Sequence, residues 1–230
     1  MNKSNLIEVK NLVKVYRDGN TYFKALNGVS FSIQKGESVA IIGKSGSGKS
    51  TLMHLLAALD KPNEGEILIN GQNIAKMKKR ELNKLRNQTF GFVFQQFFMN
   101  PKDTVLQNVI LPLKIAGVGP RKRKEIALKA LEAVELTDKA KNKASNLSGG
   151  QKQRVCVARA IANSPKIIFA DEPTGNLDSK TSKKIEDLLF GLNKESGITL
   201  IIVTHDESLA AKCDHQIRIQ DGQIVSKGEK

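Results

Sequence analysis

Tryptophan is missing from this 230-residue chain, aromatic residues make up only 5% of it, and cysteine appears twice. None of the few aromatics interleaves with the basic clusters, which argues against a stacking platform for single-stranded nucleic acid. Cys156 and Cys213 stand alone without metal-ligand spacing, and in a reducing compartment they are expected to be packing groups. No apolar run approaches the ~18 residues of a membrane span. Met1 to Lys10 has no hydrophobic segment of the secretory kind, so the chain is expected to be made and kept in the cytosol. Neither repeats nor disorder are indicated. The remaining composition is globular, 40% hydrophobic with 18 glycines, and long enough for one large domain or a core with an inserted subdomain.

Acidic residues are in deficit: 37 Lys and Arg against 23 Asp and Glu leave a formal charge of +14. The cations cluster at Lys76, Lys78, Lys79, Arg80, Lys84 and Arg86, at Arg121 to Lys124, and at Lys139, Lys141 and Lys143. A solvated helix face accounts for each cluster. The sharper readings are proximity to an anionic membrane surface or contact with nucleic acid.

Against this background one stretch carries chemistry, Gly43-Lys44-Ser45-Gly46-Ser47-Gly48-Lys49-Ser50. Glycines at 43, 46 and 48 let the backbone turn tightly and aim its N–H groups at one point, a nest suited to phosphate oxygens. Lys49 reaches the outer phosphates, and the Ser50 hydroxyl is placed for a magnesium ion. The apolar run Ser38 to Ile42 before the loop reads as a buried strand, and Thr51 to Ala57 after it as a helix whose positive dipole end faces the same charge.

Strand-like alternation opens the chain in Leu6 to Tyr16 and Phe23 to Ile33, with a hairpin turn at Arg17 to Asn20. A strand Gly65 to Ile69 ends in the turn signal Asn70-Gly71. Phe90 to Phe94 reads as a strand, Val105 to Ala116 as a helix broken early by Pro112, and Lys122 to Val134 as a periodic helix. A helix over 149–163 precedes two apolar strands, Lys166 to Ala170 and Thr199 to Val203, with a helix between them. That alternation predicts a parallel sheet with crossover helices, behind an antiparallel sheet at the start.

Ile167 to Ala170 ends in two carboxylates, Asp171 and Glu172. Asp171 is placed to hold magnesium, and Glu172 at the strand tip to orient or deprotonate an attacking water. Leu147-Ser148-Gly149-Gly150-Gln151 adds a second anion-binding helix start, and one ATP does not need two such ends. With these motifs the sequence resembles the ATP-binding cassette (ABC) ATPases over nearly its whole length.

The resemblance implies an α/β P-loop NTPase core with an N-terminal antiparallel β subdomain and an inserted α-helical subdomain. Its expected divisions are 1–95 for the core with the β subdomain, 96–148 for the helical signature subdomain and 149–230 for the rest of the core. Gly43, Ser45, Gly46, Gly48, Lys49, Ser50 and Thr51 then match the family's Walker A loop, and Asp171 and Glu172 its Walker B aspartate and catalytic glutamate. Ser148, Gly149, Gly150 and Gln151 match the signature that contacts the nucleotide held by a second copy. Gln95 matches the glutamine that links magnesium and water to the membrane partner. His205, 33 residues beyond Glu172 and followed by Asp206, matches the switch histidine at the γ-phosphate. Asp178 lies in the matching D-loop, Asn176 to Ser179. Tyr16 matches the aromatic that stacks on adenine, with an ordinary strand tyrosine as the competing reading and Tyr22 as the other candidate.

A narrower resemblance lies in Phe94-Gln95-Gln96-Phe97, in Gln153-Arg154-Val155 and in Asp171 to Ser179. It is similar to the subfamily of macrolide exporters, lipoprotein-release complexes, antimicrobial-peptide efflux systems and the cell-division ATPase. The segment Met99-Asn100-Pro101-Lys102-Asp103-Thr104 departs from that subfamily's usual residues on the surface that would face the membrane partner. The implied activity is Mg²⁺-dependent ATP hydrolysis at the inner face of the cell membrane, powering an integral membrane subunit of export or efflux type through head-to-tail pairing of two copies. The alternative is regulation of cell-wall hydrolases through a membrane partner without transport. A nucleic-acid partner is not expected, because ABC proteins of that kind usually carry two cassettes or a long coiled-coil insertion. This chain has one motif set.

Overall fold

Two-residue periodicity over the first thirty residues produces the expected hairpin, longer than the sequence suggests, in the computed structural model, which describes residues 5–229. Residues 1–4, where the stretch examined for a secretory signal begins, lie outside the described residues. In chain order the elements are β1 (Asn5–Asp18), β2 (Thr21–Gln34), β3 (Ser38–Ile42), α1 (Lys49–Leu56), β4 (Glu64–Ile69), β5 (Gln72–Asn73), α2 (Lys79–Thr89) and β6 (Phe90–Phe94). Then come α3 (Val105–Ile115), α4 (Pro120–Glu132), α5 (Gly149–Ile161), β7 (Ile167–Asp171), α6 (Ser179–Ser196), β8 (Thr199–Thr204), α7 (Glu207–Ala210), β9 (His215–Gln220) and β10 (Gln223–Glu229). By packing they form two units, Met1–Asn83 with Gly197–Lys230, and Lys84–Ser196.

In the first unit β1 pairs antiparallel with β2 and β4, and β5 pairs antiparallel with β4. Buried Ile7, Val9 and Leu12 on β1 meet Val29, Phe31 and Ile33 on β2, one apolar face against polar neighbours. β3 lies between β8 and β9, parallel to both, and β10 closes the C-terminal hairpin on β9. All five β3 residues are buried with a paired strand on each edge; Val39 to Ile42 are apolar, as in a strand covered on both faces, and buried Ser38 donates from its N–H and Oγ to Asp214 Oδ2.

In the second unit β6 and β7 run parallel, with Phe94 opposite Asp171. Phe90 and Phe92 pack their rings on Phe169 at centroid distances of 5.2 and 5.7 Å. Helix α5 lies close over β6: a Cβ at Gly91 would stand 2.6 Å from the Ala160 carbonyl.

One expectation is corrected here. Helix α3 continues through Pro112 to Ile115. Proline removes only one hydrogen-bond donor in the last turn, and its own carbonyl is well used. It accepts from Ala116 N–H at 3.0 Å, from Asn87 Nδ2 at 3.0 Å and from Asn163 Nδ2 at 3.3 Å. Among the described residues no helix is long and apolar enough to cross a membrane.

Candidate functional site

The loop after β3 owes its shape to its glycines. Gly43, Gly46 and Gly48 have φ of 154°, 77° and 108°, all in the region that favours glycine. At two of them space is lacking as well. A Cβ on Gly43 would run into the Ile219 carbonyl, and one on Gly48 would lie 2.5 Å from the Ala25 carbonyl. Gly46 has open space around it, so only its φ demands glycine. Helix α1 begins at Lys49 with no side chain capping it and no acid in its first turn, leaving its positive end for an anion.

Two polar groups in the loop stand out. Lys49 Nζ curls back to donate to the Lys44 carbonyl at 2.8 Å. Ser47 Oγ is buried and finds no hydrogen-bond partner among the described residues. Ser45 and Ser50 are exposed and Thr51 is half-buried. The C-terminal hairpin supports the loop from below: Gly222 N–H donates to the Ser47 carbonyl at 3.1 Å.

Also in the first unit, Tyr16 donates its hydroxyl to Asp60 Oδ2 at 3.0 Å, while Tyr22 is 72% exposed. Burial, and then the neighbouring Asp60, push the Tyr16 hydroxyl above its ordinary pKa, against a hydrogen bond from Thr51. His205 is the exposed residue just after β8. The following Asp206 is a helix cap, accepting from Ser208 N–H at 2.8 Å, Ser208 Oγ at 2.7 Å and Leu209 N–H at 3.2 Å. The Ser208 hydroxyl is the main reason its carboxyl sits below the usual range; desolvation opposes the shift, while the Leu209 and Ser208 amides and the nearby His205 add to it.

In the second unit, the register of β6 on β7 carries Gln95 and Glu172 past the same ends of neighbouring strands. Glu172 has φ 45°, a left-handed conformation uncommon outside glycine and typical of constrained sites. Gln95 and Asn176 bind each other reciprocally, Gln95 Nε2 to Asn176 Oδ1 at 3.3 Å and Asn176 Nδ2 to the Gln95 carbonyl at 3.1 Å. Gly175 lets them meet, since a Cβ there would lie 2.8 Å from Gln95 Nε2.

The signature residues open α5. Ser148 Oγ accepts from Gln151 N–H at 3.3 Å, and Gln151 Oε1 accepts from Ser148 N–H at 3.0 Å, a reciprocal capping box. Gly150 faces the Thr181 methyl on α6 so closely that no Cβ fits, and Gly149 is the exposed position of the pair. Thr181 in turn donates its hydroxyl to Asp178 at 2.6 Å, the leading reason that carboxyl sits below its usual range.

A residue that sequence reasoning did not assign lies between these parts. Gln153, 1% exposed on α5, donates from Nε2 to the Pro173 carbonyl at 2.7 Å and to the Phe94 carbonyl at 3.2 Å. Those carbonyls belong to the residues next to Glu172 and Gln95. The available signal was an amide interrupting the apolar stripe of α5.

Comparison with known proteins bears on this arrangement. Residues 26–175 match the family described as ABC transporter. The chain is 46% identical to the lipoprotein-releasing system ATP-binding protein LolD of Syntrophus aciditrophicus (strain SB), over 96% of this chain and 99% of that protein. It is similar to a dimeric post-hydrolysis structure of the ATP-binding cassette MJ0796 bound to ADP and Pi, with TM-score 0.89 and 44% identity over 97% of this chain and 98% of that one. It also resembles cbiO1 of Clostridium perfringens, part of the ABC transporter complex cbiONQ, with TM-score 0.89 and 31% identity over 99% of this chain and 89% of that one.

Proposed function

Because the chain belongs to the ABC transporter family and carries its ATP-hydrolysing cassette, we propose that it powers a separate integral membrane subunit of export or release type from the inner face of the membrane. The observation that carries this reading is the 46% identity, spanning both chains almost entirely, to the ATP-binding protein of a lipoprotein-releasing system. An apolar cavity in the second unit supports it. Phe94, Phe98, Leu111 and Ile115 line about 230 Å³ of concave surface, with Phe98, Leu111 and Ile115 at least half exposed. Exposed apolar residues around a concavity suit a protein partner. The adjoining 97–104 segment is held firmly, because Arg159 donates to the Phe97 and Phe98 carbonyls at 3.0 and 2.7 Å, and buried Asn108 holds both N–H and C=O of Asn100.

The residues present fit a magnesium nucleotide. Ser50, Gln95 and Asp171 offer only oxygen donors, the set a hard cation prefers. Lys49 rests on a neutral carbonyl that a phosphate oxygen would readily replace. Bound there, Mg²⁺ would neutralise charge on the phosphoryl oxygens. The loop amides and Lys49 hold the phosphates in place and stabilise the charge that develops on them. Glu172 orients the water and takes its proton, and His205 contacts the terminal phosphate. Tyr16 stacks on the base. Ser148, Gly149 and Gln151 complete the site of a second copy, so closure of the pair is the working stroke. Hydrolysis lets the pair reopen.

The test is affinity purification of a tagged Glu172→Gln variant from detergent-solubilised native cells with Mg-ATP, followed by mass spectrometry. An integral membrane subunit recovered with the ATP-trapped form is the expected result. A partner whose outer domain binds cell-wall hydrolases would shift the reading to regulation. Ribosomes or DNA in its place would overturn the membrane partnership.

A further inference from the structure

We propose that Lys14 and Asp60 are positioning residues for the nucleotide base, fixing one face and the hydroxyl edge of Tyr16 so that its other face is a preformed stacking platform. The proposal deepens the assignment of Tyr16 as the base-stacking residue and rests on it. Lys14 and Tyr16 are two residues apart on β1 and share a face of the strand. Lys14 is 9% exposed, unusual for lysine, and its Nζ stands over the Tyr16 ring at 4.9 Å from the centroid. That ammonium is fully engaged, 2.8 Å from Asp60 Oδ2 and donating to the Lys61 carbonyl at 2.8 Å.

Asp60 is the hub. Its Oδ2 takes both Lys14 and the Tyr16 hydroxyl, and its Oδ1 accepts the Lys61 N–H at 2.7 Å. The segment carrying it hangs from the helix of the phosphate loop, because Leu59 and Asp60 N–H both donate to the His54 carbonyl near the end of α1. Asn63 joins the same segment to β1, donating its N–H to the Val13 carbonyl at 2.9 Å and accepting from Val15 N–H at 2.8 Å. The Asp60 carboxylate, together with the Thr51 side chain, thus sets the ring's orientation relative to the helix that begins at Lys49. Tyr16 as a whole remains 39% exposed, and Lys14 takes up one face of its ring, which leaves the opposite face for a base. A ring held this way loses little freedom when a base stacks on it, which raises affinity through preorganisation.

The experiment compares ATP with inorganic tripolyphosphate, which uses the phosphate loop but has no base. Dissociation constants for both are measured on the full chain carrying Lys14→Met, Asp60→Asn, Lys14→Arg or Tyr16→Ala, together with kcat and KM for ATP. Lys14→Met and Asp60→Asn are expected to weaken ATP roughly tenfold, the scale of one base–aromatic stack, with tripolyphosphate binding and kcat unchanged within about twofold. Lys14→Arg is expected to restore ATP affinity. Equal loss for ATP and tripolyphosphate, or no loss for either, overturns the proposal. If Tyr16→Ala fails to weaken ATP selectively, the stacking assignment itself fails. If only Tyr16→Ala does so, stacking stands and the positioning role falls. Should Lys14→Met not fold, the near-isosteric Asp60→Asn carries the same test.

Discussion

Replacing Gln153 separates a strut from a filler. Its side-chain nitrogen serves two carbonyls, at Phe94 and Pro173, while its oxygen is buried without a hydrogen-bond partner among the described residues. Each buried carbonyl deprived of its donor costs about 1–3 kcal/mol. Gln153→Leu removes both bonds but also the orphaned oxygen and leaves little cavity, so its net cost is about 1–2 kcal/mol. Gln153→Ala adds a cavity and is expected near 3 kcal/mol. Gln153→Glu faces two carbonyl oxygens with a carboxylate that has no donor, and is the worst of the three. Urea unfolding gives the stabilities, and steady-state ATPase assays give kcat and KM. Because the two carbonyls flank Gln95 and Glu172, kcat should fall at least tenfold in the Leu variant while KM stays within about threefold. A Leu variant with parental kcat, or a Glu variant no less stable than Leu, would refute the strut.

Three other outcomes follow from the geometry. Glu172→Gln is expected to bind ATP but turn over at least a hundredfold more slowly and to elute as a dimer with Mg-ATP in size-exclusion chromatography; normal turnover would remove Glu172 from the role of base. Gly48→Ala forces a Cβ onto the Ala25 carbonyl at a φ of 108°, and is expected to weaken nucleotide binding at least tenfold and to lower the melting temperature; calorimetry measures both. Burial pushes the Cys156 thiol up to about 11 from 9.0, with Arg159 opposing. A raised pKa leaves stability intact below pH 9.0 and reduces it as pH rises through about 11, by about 2–3 kcal/mol in all. The advantage of the parent over Cys156→Ala in urea melts should therefore shrink between pH 8 and pH 10.5.

Much of this molecule is legible in its sequence where local physics decides the matter. The first hairpin shows in its alternation, β3 in an apolar run enclosed on both edges, and the phosphate loop in glycines whose φ values no other residue adopts comfortably. Pro112 misleads, because in the last turn it costs the helix only one donor, and its carbonyl is held by amides from Asn87 and Asn163, which no window of neighbouring residues contains. The C-terminal hairpin is absent from the sequence expectations although Asp221-Gly222 sits between alternating runs, a turn signal of the ordinary kind. Gln153 could not be assigned from periodicity: its partners are set by the packing of α5 against the ends of β6 and β7. The capping box at Ser148 and Gln151 is written in the Ser-x-x-Gln spacing itself, yet the sequence expectations give these residues only their signature role. The same residues serve the helix's own backbone as well as the role the family resemblance gives them.

The support of the phosphate loop by residues 219–222 has a consequence for how the protein is made. A ribosome delivers Gly43 to Ser50 well before the Ile219 carbonyl and the Gly222 amide that brace the loop. Until then the loop lacks its floor, and the nascent chain has the motif without the grip. A chain that stops short of residues 219–222 would therefore carry the phosphate-loop motif without this bracing.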